Sequence, residues 1–216
     1  MRGGRPLRPE RFVFRGRTPM LDFNRVKNIL VSPKSEWQTI GAESATTQSL
    51  YTGYVIPLAL IRPVCSFIGL SLIGVSWFGG HFRVPIASGI AHAVLDFALT
   101  LVAVYVLALV IDALAPTFGG QKDQTQALKV SVYSSTAAWL AGVFYLVPAL
   151  SILGLLGLYS LYLLYLGLPV LMKAPQDKAL GYTAVVVIAA IIIFVVVGAV
   201  ASVVVPHPGL NIGISG

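Results

Sequence analysis

Residues 182–205 read YTAVVVIAAIIIFVVVGAVASVVV, a run of 24 residues without one charged side chain. An uninterrupted apolar stretch of about 18 or more residues is typical of a helix that spans a membrane. The whole chain has this character, since 56% of its 216 residues are hydrophobic, 11% are charged and its mean hydropathy is +0.84. Soluble domains carry about 25% charged residues. The composition excludes an ordinary soluble domain and a disordered chain, and it indicates a polytopic membrane protein.

Five apolar segments are long enough to cross a membrane as helices. At 1.5 Å per residue, a helix of about 20–25 residues covers a hydrocarbon core about 30 Å thick. The segments are continuously apolar and lack the alternation of a membrane β-strand, so the sequence predicts an all-α bundle and no β-barrel. The predicted spans are residues 54–77, 90–115, 127–147, 149–171 and 182–205.

Basic residues are concentrated on one side of the predicted spans. Nine of the 15 lysines and arginines precede the first span, and the loops after the second and fourth spans carry two lysines each. The loop after the first span contains only Arg83, and Arg62 lies within a span. With a cytoplasmic N-terminus, thirteen basic residues face the cytoplasm and one faces the exterior, as the positive-inside rule requires. The sequence therefore predicts five spans, an N-terminus in the cytoplasm and a C-terminus outside.

The same pattern divides the chain into four regions. Residues 1–19 contain six arginines and three prolines without helical or strand periodicity, and are predicted to be a disordered basic extension. A start at Met20 is an alternative for the natural chain. Residues 20–53 are the predicted cytoplasmic juxtamembrane segment, residues 54–205 the transmembrane domain, and residues 206–216 a short exterior tail.

A short amphipathic helix is predicted directly after Met20. Its apolar residues loosely follow one helix face, while Arg25 and Lys27 are basic, which is typical of a helix on a membrane surface. Pro33 ends this helix, and a second short element follows in which Trp37 suits the membrane interface. The apolar residues of the first helix are Leu21, Phe23, Val26, Ile29 and Leu30.

Arg62 is the first candidate functional residue, because an ionised group at membrane depth is costly and usually has a purpose. It lies about eight residues into the first predicted span, roughly 12 Å from the cytoplasmic end. The predicted partner is Asp112, near the cytoplasmic end of the second span. Two interpretations stay open, a structural ion pair that joins the two spans and a site for a substrate or a lipid phosphate.

His92 and Asp96 are four residues apart in the second predicted span, so they share a helix face. The pair is interpreted as a local polar patch near the outer interface, with proton relay as the alternative. Three tyrosines of the fourth span recur every third residue, and they are predicted to pack and hydrogen-bond between helices or to line a polar cleft. These tyrosines are Tyr159, Tyr162 and Tyr165.

Hydroxylated side chains of the third predicted span are expected to hydrogen-bond between closely packed helices. The chain has no recognisable catalytic motif, and its lone Cys65 excludes a disulfide within the chain. The sequence therefore predicts a non-enzymatic protein without a metal site or cofactor.

The net charge of +7 is attributed to membrane topology and anionic lipid, with no nucleic-acid partner, because the basic residues cluster immediately before the first span. Membrane lipids are the predicted partners at the cytoplasmic face, where an acidic protein is a further candidate, and a homo-oligomer stays open. The residues predicted to face head groups or such a partner are Arg25, Lys27, Lys34, Lys122, Lys129, Lys173 and Lys178.

Four segments together resemble the prokaryotic branch of the Yip domain family, whose members are multi-pass, Ypt/Rab-interacting-protein-like membrane proteins. The resemblance covers about residues 20–205 and is carried by RVKNILVSPKSEWQTI (25–40), YVIPLALIRPVCSFIG (54–69), IDALAPTFGGQKDQTQALKVSVYSSTAAWLAGVF (111–144) and GLPVLMKAPQDKALGYTAVV (167–186).

This resemblance implies a five-span helical protein of the bacterial inner membrane with a cytoplasmic N-terminus. Eukaryotic members act in vesicle traffic and bind Rab-type GTPases through a longer cytoplasmic region, so only fold and topology are carried over. The leading interpretation is a membrane protein that organises membrane or recruits partners at its cytoplasmic face. The alternative is a small oligomeric transporter, channel or lipid-moving protein that uses Arg62, Asp112 and the span-four tyrosines as a polar path.

Overall fold

The computed structural model of the protein describes residues 22–77 and 80–204. The predicted extension 1–19 and tail 206–216 lie outside the described residues. The described part of the chain is helical apart from one short hairpin. Its helices are α1 (Phe23–Val31), α2 (Pro33–Ala42), α3 (Thr47–Ile73), α4 (Ile86–Leu114), α5 (Gln124–Ser134), α6 (Thr136–Ala141), α7 (Pro148–Leu171) and α8 (Gln176–Val204).

Four of these helices are long and apolar enough to cross a membrane. They are α3, α4 with its 3-10 extension to Phe118, α7 and α8. The prediction of a helical, membrane-embedded protein is confirmed, although the structure gives four such helices where the sequence predicts five.

The predicted third span, 127–147, has a different form. It is broken into α5, α6 and a 3-10 turn from Gly142 to Leu146, and eight consecutive residues from Ala127 to Ser134 are buried. A helix in the centre of a bundle faces protein on all sides, so it carries polar groups without exposing them to lipid. This segment is therefore the centre of the bundle, and it lacks the long apolar surface of the other four.

A short antiparallel hairpin joins α3 to α4. Strands β1 (Val75–Trp77) and β2 (Gly80–Phe82) pair with Val75 opposite Phe82. The all-α prediction missed it because this apolar stretch continues the first predicted span. The helix ends at Ile73 because Gly74 has φ 85°, a backbone conformation that glycine adopts readily. We call this end of the molecule the hairpin end.

The opposite end, where α1 and α2 pack against α5 and α7, is the base. A helix of 29 residues such as α4 or α8 is about 43 Å long, which exceeds a hydrocarbon core of about 30 Å. In the half of α4 that is nearer the base, one face of the helix is buried. The residues of that face are Val104, Ala108, Ile111 and Ala115.

Helices α1 and α2 form at the predicted place but belong to this base. Asp22 caps α1 by accepting hydrogen bonds from two backbone N–H groups, and Pro33 starts α2. Trp37 is fully buried, so the prediction that it lies at the membrane interface is wrong. Its ring packs on Gly167, where a β-carbon would lie 2.7 Å from it, and meets the ring of Tyr133 edge-on.

Candidate functional site

Arg62 lies in the middle of α3, packed against the segment that follows α6. A β-carbon added to Gly142 would lie only 2.7 Å from the β-carbon of Arg62, so the two backbones are in close contact. The guanidinium carbon of Arg62 is 5.8 Å from the ring centre of Tyr145 and 5.9 Å from that of Phe194. Such cation–π contacts stabilise an arginine where water is scarce.

Two neighbouring cavities lie beside Arg62, between α3, α4 and α8. The first has a volume of about 270 Å³ and is lined by Arg62, His92, Asp96, Ser66 and Ser71, among others. The second has a volume of about 200 Å³, and both linings are mainly apolar, the second more strongly so. Both cavities share Arg62 and Asp96, so these two charged residues lie between the first cavity, which we call the polar cavity, and the second, which we call the apolar cavity.

The structure does not bring Arg62 together with its predicted partner Asp112. Asp96 and Asp112 are 16 residues apart on α4, a distance of about 24 Å along the helix. Arg62 shares its cavities with Asp96, and among the described residues no ion pair joins it to Asp112. The predicted partner was wrong because the predicted span starts too late. Helix α3 begins at Thr47, seven residues earlier, so Arg62 lies deeper in the bundle than predicted.

Asp112 lies near the base instead. The hydroxyl of Tyr182 donates a hydrogen bond to the adjacent carbonyl of Ile111, and Tyr182 stacks on Phe118. One carboxylate oxygen of Asp112 is buried and has no hydrogen-bond partner within the described residues.

His92 and Asp96 both line the polar cavity, as expected from their spacing of one helical turn. The hydroxyl of Ser71, which sequence reasoning missed, also lies on this wall. Ser71 is 5% exposed, and its oxygen has no hydrogen-bond partner in residues 22–77 and 80–204. No motif could have identified Ser71, because its position depends on the close approach of α3 and α4 at Gly89.

The span-four tyrosines do not line either cavity. The hydroxyl of Tyr159 donates to the carbonyl of Leu30 at 3.0 Å, and its ring lies 5.4 Å from that of Tyr162. Tyr162 is largely exposed and Tyr165 is half-buried. Tyr159 therefore joins α7 to α1, and the tyrosines do not form the polar cleft with Arg62 that the sequence left open.

The hydroxyl groups of the predicted third span do connect helices. Ser131 donates to the carbonyl of Val104 at 2.8 Å, and the hydroxyls of Tyr54 and Thr136 lie 2.8 Å apart. All four groups are buried, as expected for polar contacts inside a membrane bundle.

A second polar cluster holds α1 and α2 in the base. The guanidinium of Arg25 donates to Glu36 at 2.6 Å and to both carboxylate oxygens of Glu43, at 2.5 and 2.7 Å. Burial alone would lower the pKa of Arg25, but its hydrogen bond to Glu43 and the charges of Glu43 and Glu36 raise the pKa above its ordinary value. Arg25 is therefore a charged anchor between α1 and α2.

Lys129 and Gln126 of α5 bind the C-terminal end of α2. The ammonium of Lys129 donates to the carbonyls of Ile40, at 2.9 Å, and Glu43, at 2.5 Å, while the side-chain amide of Gln126 donates to the carbonyl of Gly41. The last carbonyls of a helix lack partners within it and carry partial negative charge, so a cation is well placed there. Lys129 is only 2% exposed.

The role predicted for Arg25 and Lys129, contact with head groups or an acidic partner, is therefore wrong, because both are engaged inside the base. The other five predicted basic residues are exposed. The acids nearest to them are mostly engaged, since Asp22 and Asp123 cap α1 and α5. The exposed basic residues are Lys27, Lys34, Lys122, Lys173 and Lys178.

Two of these lysines lie in adjoining loops, and a third lies in the first turn of α8. The backbone N–H of Gln121 donates to the carbonyl of Met172 at 2.8 Å, which joins the loop that contains Lys122 to the loop that contains Lys173. The ammonium of Lys178 reaches the same place, 3.7 Å from a β-carbon added at Gly119. We call Lys122, Lys173 and Lys178 the loop lysines.

A comparison with known protein families decides what kind of protein has this architecture. The model of the Yip1 domain matches residues 27–198. The chain belongs to the Yip1 domain family. This confirms the resemblance seen in the sequence, and it places α1 to α8 almost entirely within the Yip1 domain.

Curated relatives of this Yip1 protein come from bacteria. The inner membrane protein YohC of Escherichia coli K12 is 26% identical over 165 residues, which cover 74% of this chain and 85% of YohC. YohC of Escherichia coli O6:H1 gives the same values. These names agree with the predicted location in a bacterial inner membrane. No solved structure matches the chain.

Proposed function

We propose that this Yip1 protein is a non-enzymatic inner-membrane protein whose base lies in the cytoplasm and binds anionic head groups or an acidic partner. The observation that carries this proposal is the set of five exposed lysines on the base. Of the carboxylates near them, Asp22 and Asp123 cap helices and Glu36 and Glu43 bind Arg25, while Asp177 is exposed. Each lysine near an anionic surface contributes about 1 kcal/mol to its binding.

The proposal includes five membrane crossings. Residues 124–146 begin in the base and end next to the hairpin end, because the carbonyl of Tyr145 directly contacts Gly69 near the end of α3. Helix α7 then returns to the base and α8 leaves it again. If residues 124–146 count as a crossing, the protein has five crossings. The exposed lysines then lie inside and Arg83 lies outside, as the positive-inside rule prefers.

We expect single cysteines to confirm this topology. In a Cys65→Ala background, Lys122→Cys and Lys173→Cys should react with a membrane-impermeant maleimide only in inside-out vesicles. Pro85→Cys and Val147→Cys should react only in intact cells with a permeable outer membrane. Labelling of Lys122→Cys and Val147→Cys from the same side would show that the central segment does not cross, and would contradict five spans.

Neutralising the loop lysines should weaken the binding of the base. At about 1 kcal/mol per lysine, replacing all three with glutamine weakens binding to an anionic surface about 100-fold. The measurement is purification from native membranes in mild detergent, with retained lipids and proteins both identified by mass spectrometry. The matched control replaces the same three residues with arginine. Equal amounts of anionic lipid and acidic protein on the wild type and the glutamine variant would refute the proposal.

A transporter, channel or lipid-moving protein is the second candidate, favoured by the cavities that contain Arg62 and Asp96. The polar path would use these two residues, since Asp112 and the tyrosines lie elsewhere. Transport predicts that Arg62→Ala abolishes flux in reconstituted vesicles while expression and folding stay normal. An unchanged flux in this variant would exclude a path through Arg62.

A further inference from the structure

The two cavities beside Arg62 follow one another along α4, and the one nearer the hairpin end has the larger polar share of its lining. We propose that together they bind one phospholipid with a phosphoethanolamine head group, the head group in the polar cavity and an acyl chain in the apolar cavity. This inference does not depend on the function proposed for the base, because none of the exposed lysines lines either cavity.

The charges of the polar cavity fit a zwitterion. Arg62 and Asp96 both line it, yet among the described residues no hydrogen bond or ion pair joins them. Each charge is therefore available to a ligand group of opposite sign. Guanidinium binds phosphate through two parallel N–H donors, and a carboxylate accepts hydrogen bonds from a primary ammonium. Phosphoethanolamine carries both groups within one small head group.

This charge pattern also discriminates between lipids. A glycerol head group carries the phosphate but no cation, so Asp96 would stay uncompensated at membrane depth. A choline head group carries a cation without N–H donors, so it cannot donate a hydrogen bond to Asp96. Both should bind more weakly than ethanolamine.

Ser71 is an unpartnered polar residue beside the polar cavity. Its side chain is more than nine-tenths buried, and its hydroxyl oxygen packs against Gly89 without a hydrogen-bond partner in the described part of the chain. Buried polar groups in native proteins are nearly always hydrogen-bonded, so an unpartnered one requires a missing partner. A phosphate oxygen in the cavity would accept a hydrogen bond from this hydroxyl once the side chain turns away from Gly89.

The order of the two cavities along α4 fits a lipid whose head group lies toward the hairpin end. Gly89 and His92 of the polar cavity lie about 5 and 9 Å from the start of α4. The apolar cavity continues to Val104, about 27 Å from the same point, and Ile193 and Phe194 of α8 form one wall. A lipid oriented in this way has the same order, head group first and chains deeper.

Retention of defined lipids tests the proposal. Purified full-length protein in mild detergent is incubated with an equimolar mixture of deuterated phosphatidylethanolamine, phosphatidylglycerol and phosphatidylcholine, and bound lipid is counted by native mass spectrometry. We expect one bound phosphatidylethanolamine, preferred at least tenfold over the other two. Arg62→Gln should reduce its retention at least tenfold, and Asp96→Asn should abolish the preference over phosphatidylglycerol.

Two further variants keep the test decisive. Asp112→Asn, at a half-buried carboxylate outside both cavities, is the matched control and should retain lipid like the wild type. Ala103→Phe fills the apolar cavity and leaves every charge in place, so it should reduce retention even if Arg62→Gln fails to fold. The glutamine variant of the loop lysines should bind normally, which separates this proposal from the function of the base.

Three results would overturn the proposal. Equal retention of the three lipids by the wild type would show that the site does not select the phosphoethanolamine head group. Normal lipid retention by a folded Ala103→Phe variant would show that the lipid does not bind in the apolar cavity. Binding of free phosphoethanolamine, added as a competitor, without any retained phosphatidylethanolamine would show that the ligand is a soluble zwitterion and not a lipid.

Discussion

Replacing Arg25 with methionine is expected to detach α1 and α2 from the base and to lower the free energy of unfolding by about 3–5 kcal/mol. The guanidinium is the shared partner of Glu36, which is buried, and of Glu43. Without it, a buried carboxylate loses its counter-charge, and this loss costs more than the net strength of the ion pair. For a chain of this size, we expect the midpoint of thermal unfolding in detergent to fall by about 10 °C.

The matched control for this prediction is Lys27→Met, on the exposed side of the same helix. It removes the same charge without uncovering a buried carboxylate, so its unfolding midpoint should stay close to that of the wild type. Adding Glu36→Gln to Arg25→Met should recover part of the loss, because the double variant no longer buries an unpaired charge. An Arg25→Met protein within 2 °C of the wild type would contradict the role of Arg25 as an anchor.

The effect should also be local. The linker between α2 and α3 is exposed, and the ion pairs of Arg25 hold the helix before it. In the Arg25→Met variant we expect proteases to cut the segment 43–46 before the bundle unfolds. The Lys27→Met control should resist the same treatment.

The difference between sequence and structure at the base has a clear physical origin. The sequence shows where a lysine lies relative to the predicted spans, but it does not show which groups the lysine's ammonium binds. Lys122 and Lys129 look alike in the sequence, yet one is exposed and the other donates to carbonyls of residues 40 and 43. Such contacts join residues nearly ninety positions apart and follow only from the tertiary packing.

The membrane helices were more predictable because their signal is local. Apolar runs identified α3, α4, α7 and α8, and Pro33 correctly separated α1 from α2. The boundaries were less accurate, with consequences for the site. An error of seven residues at the start of α3 shifted the predicted depth of Arg62 and selected Asp112 as its partner in place of Asp96.

Replacing Lys129 with methionine is the second large effect that we expect. The variant preserves the apolar stem of the side chain but leaves the carbonyls of Ile40 and Glu43 without their donor in the base. Unsatisfied buried acceptors and a lost charged hydrogen bond should lower the free energy of unfolding by about 3 kcal/mol. Lys122→Met, an exposed lysine seven residues earlier, is the matched control and should change stability by less than about 0.5 kcal/mol.

Combining Lys129→Met with Arg25→Met tests whether the two contacts form one unit. Glu43 links them, since its carboxylate binds Arg25 and its backbone carbonyl binds Lys129. Once either cation is removed, the end of α2 is already loosened, so the second substitution should cost less than it does alone. Thermal unfolding of the four proteins in detergent measures this coupling. Strict additivity would mean that α1 and α2 are held at two independent points, and that the base is less cooperative than its contacts indicate.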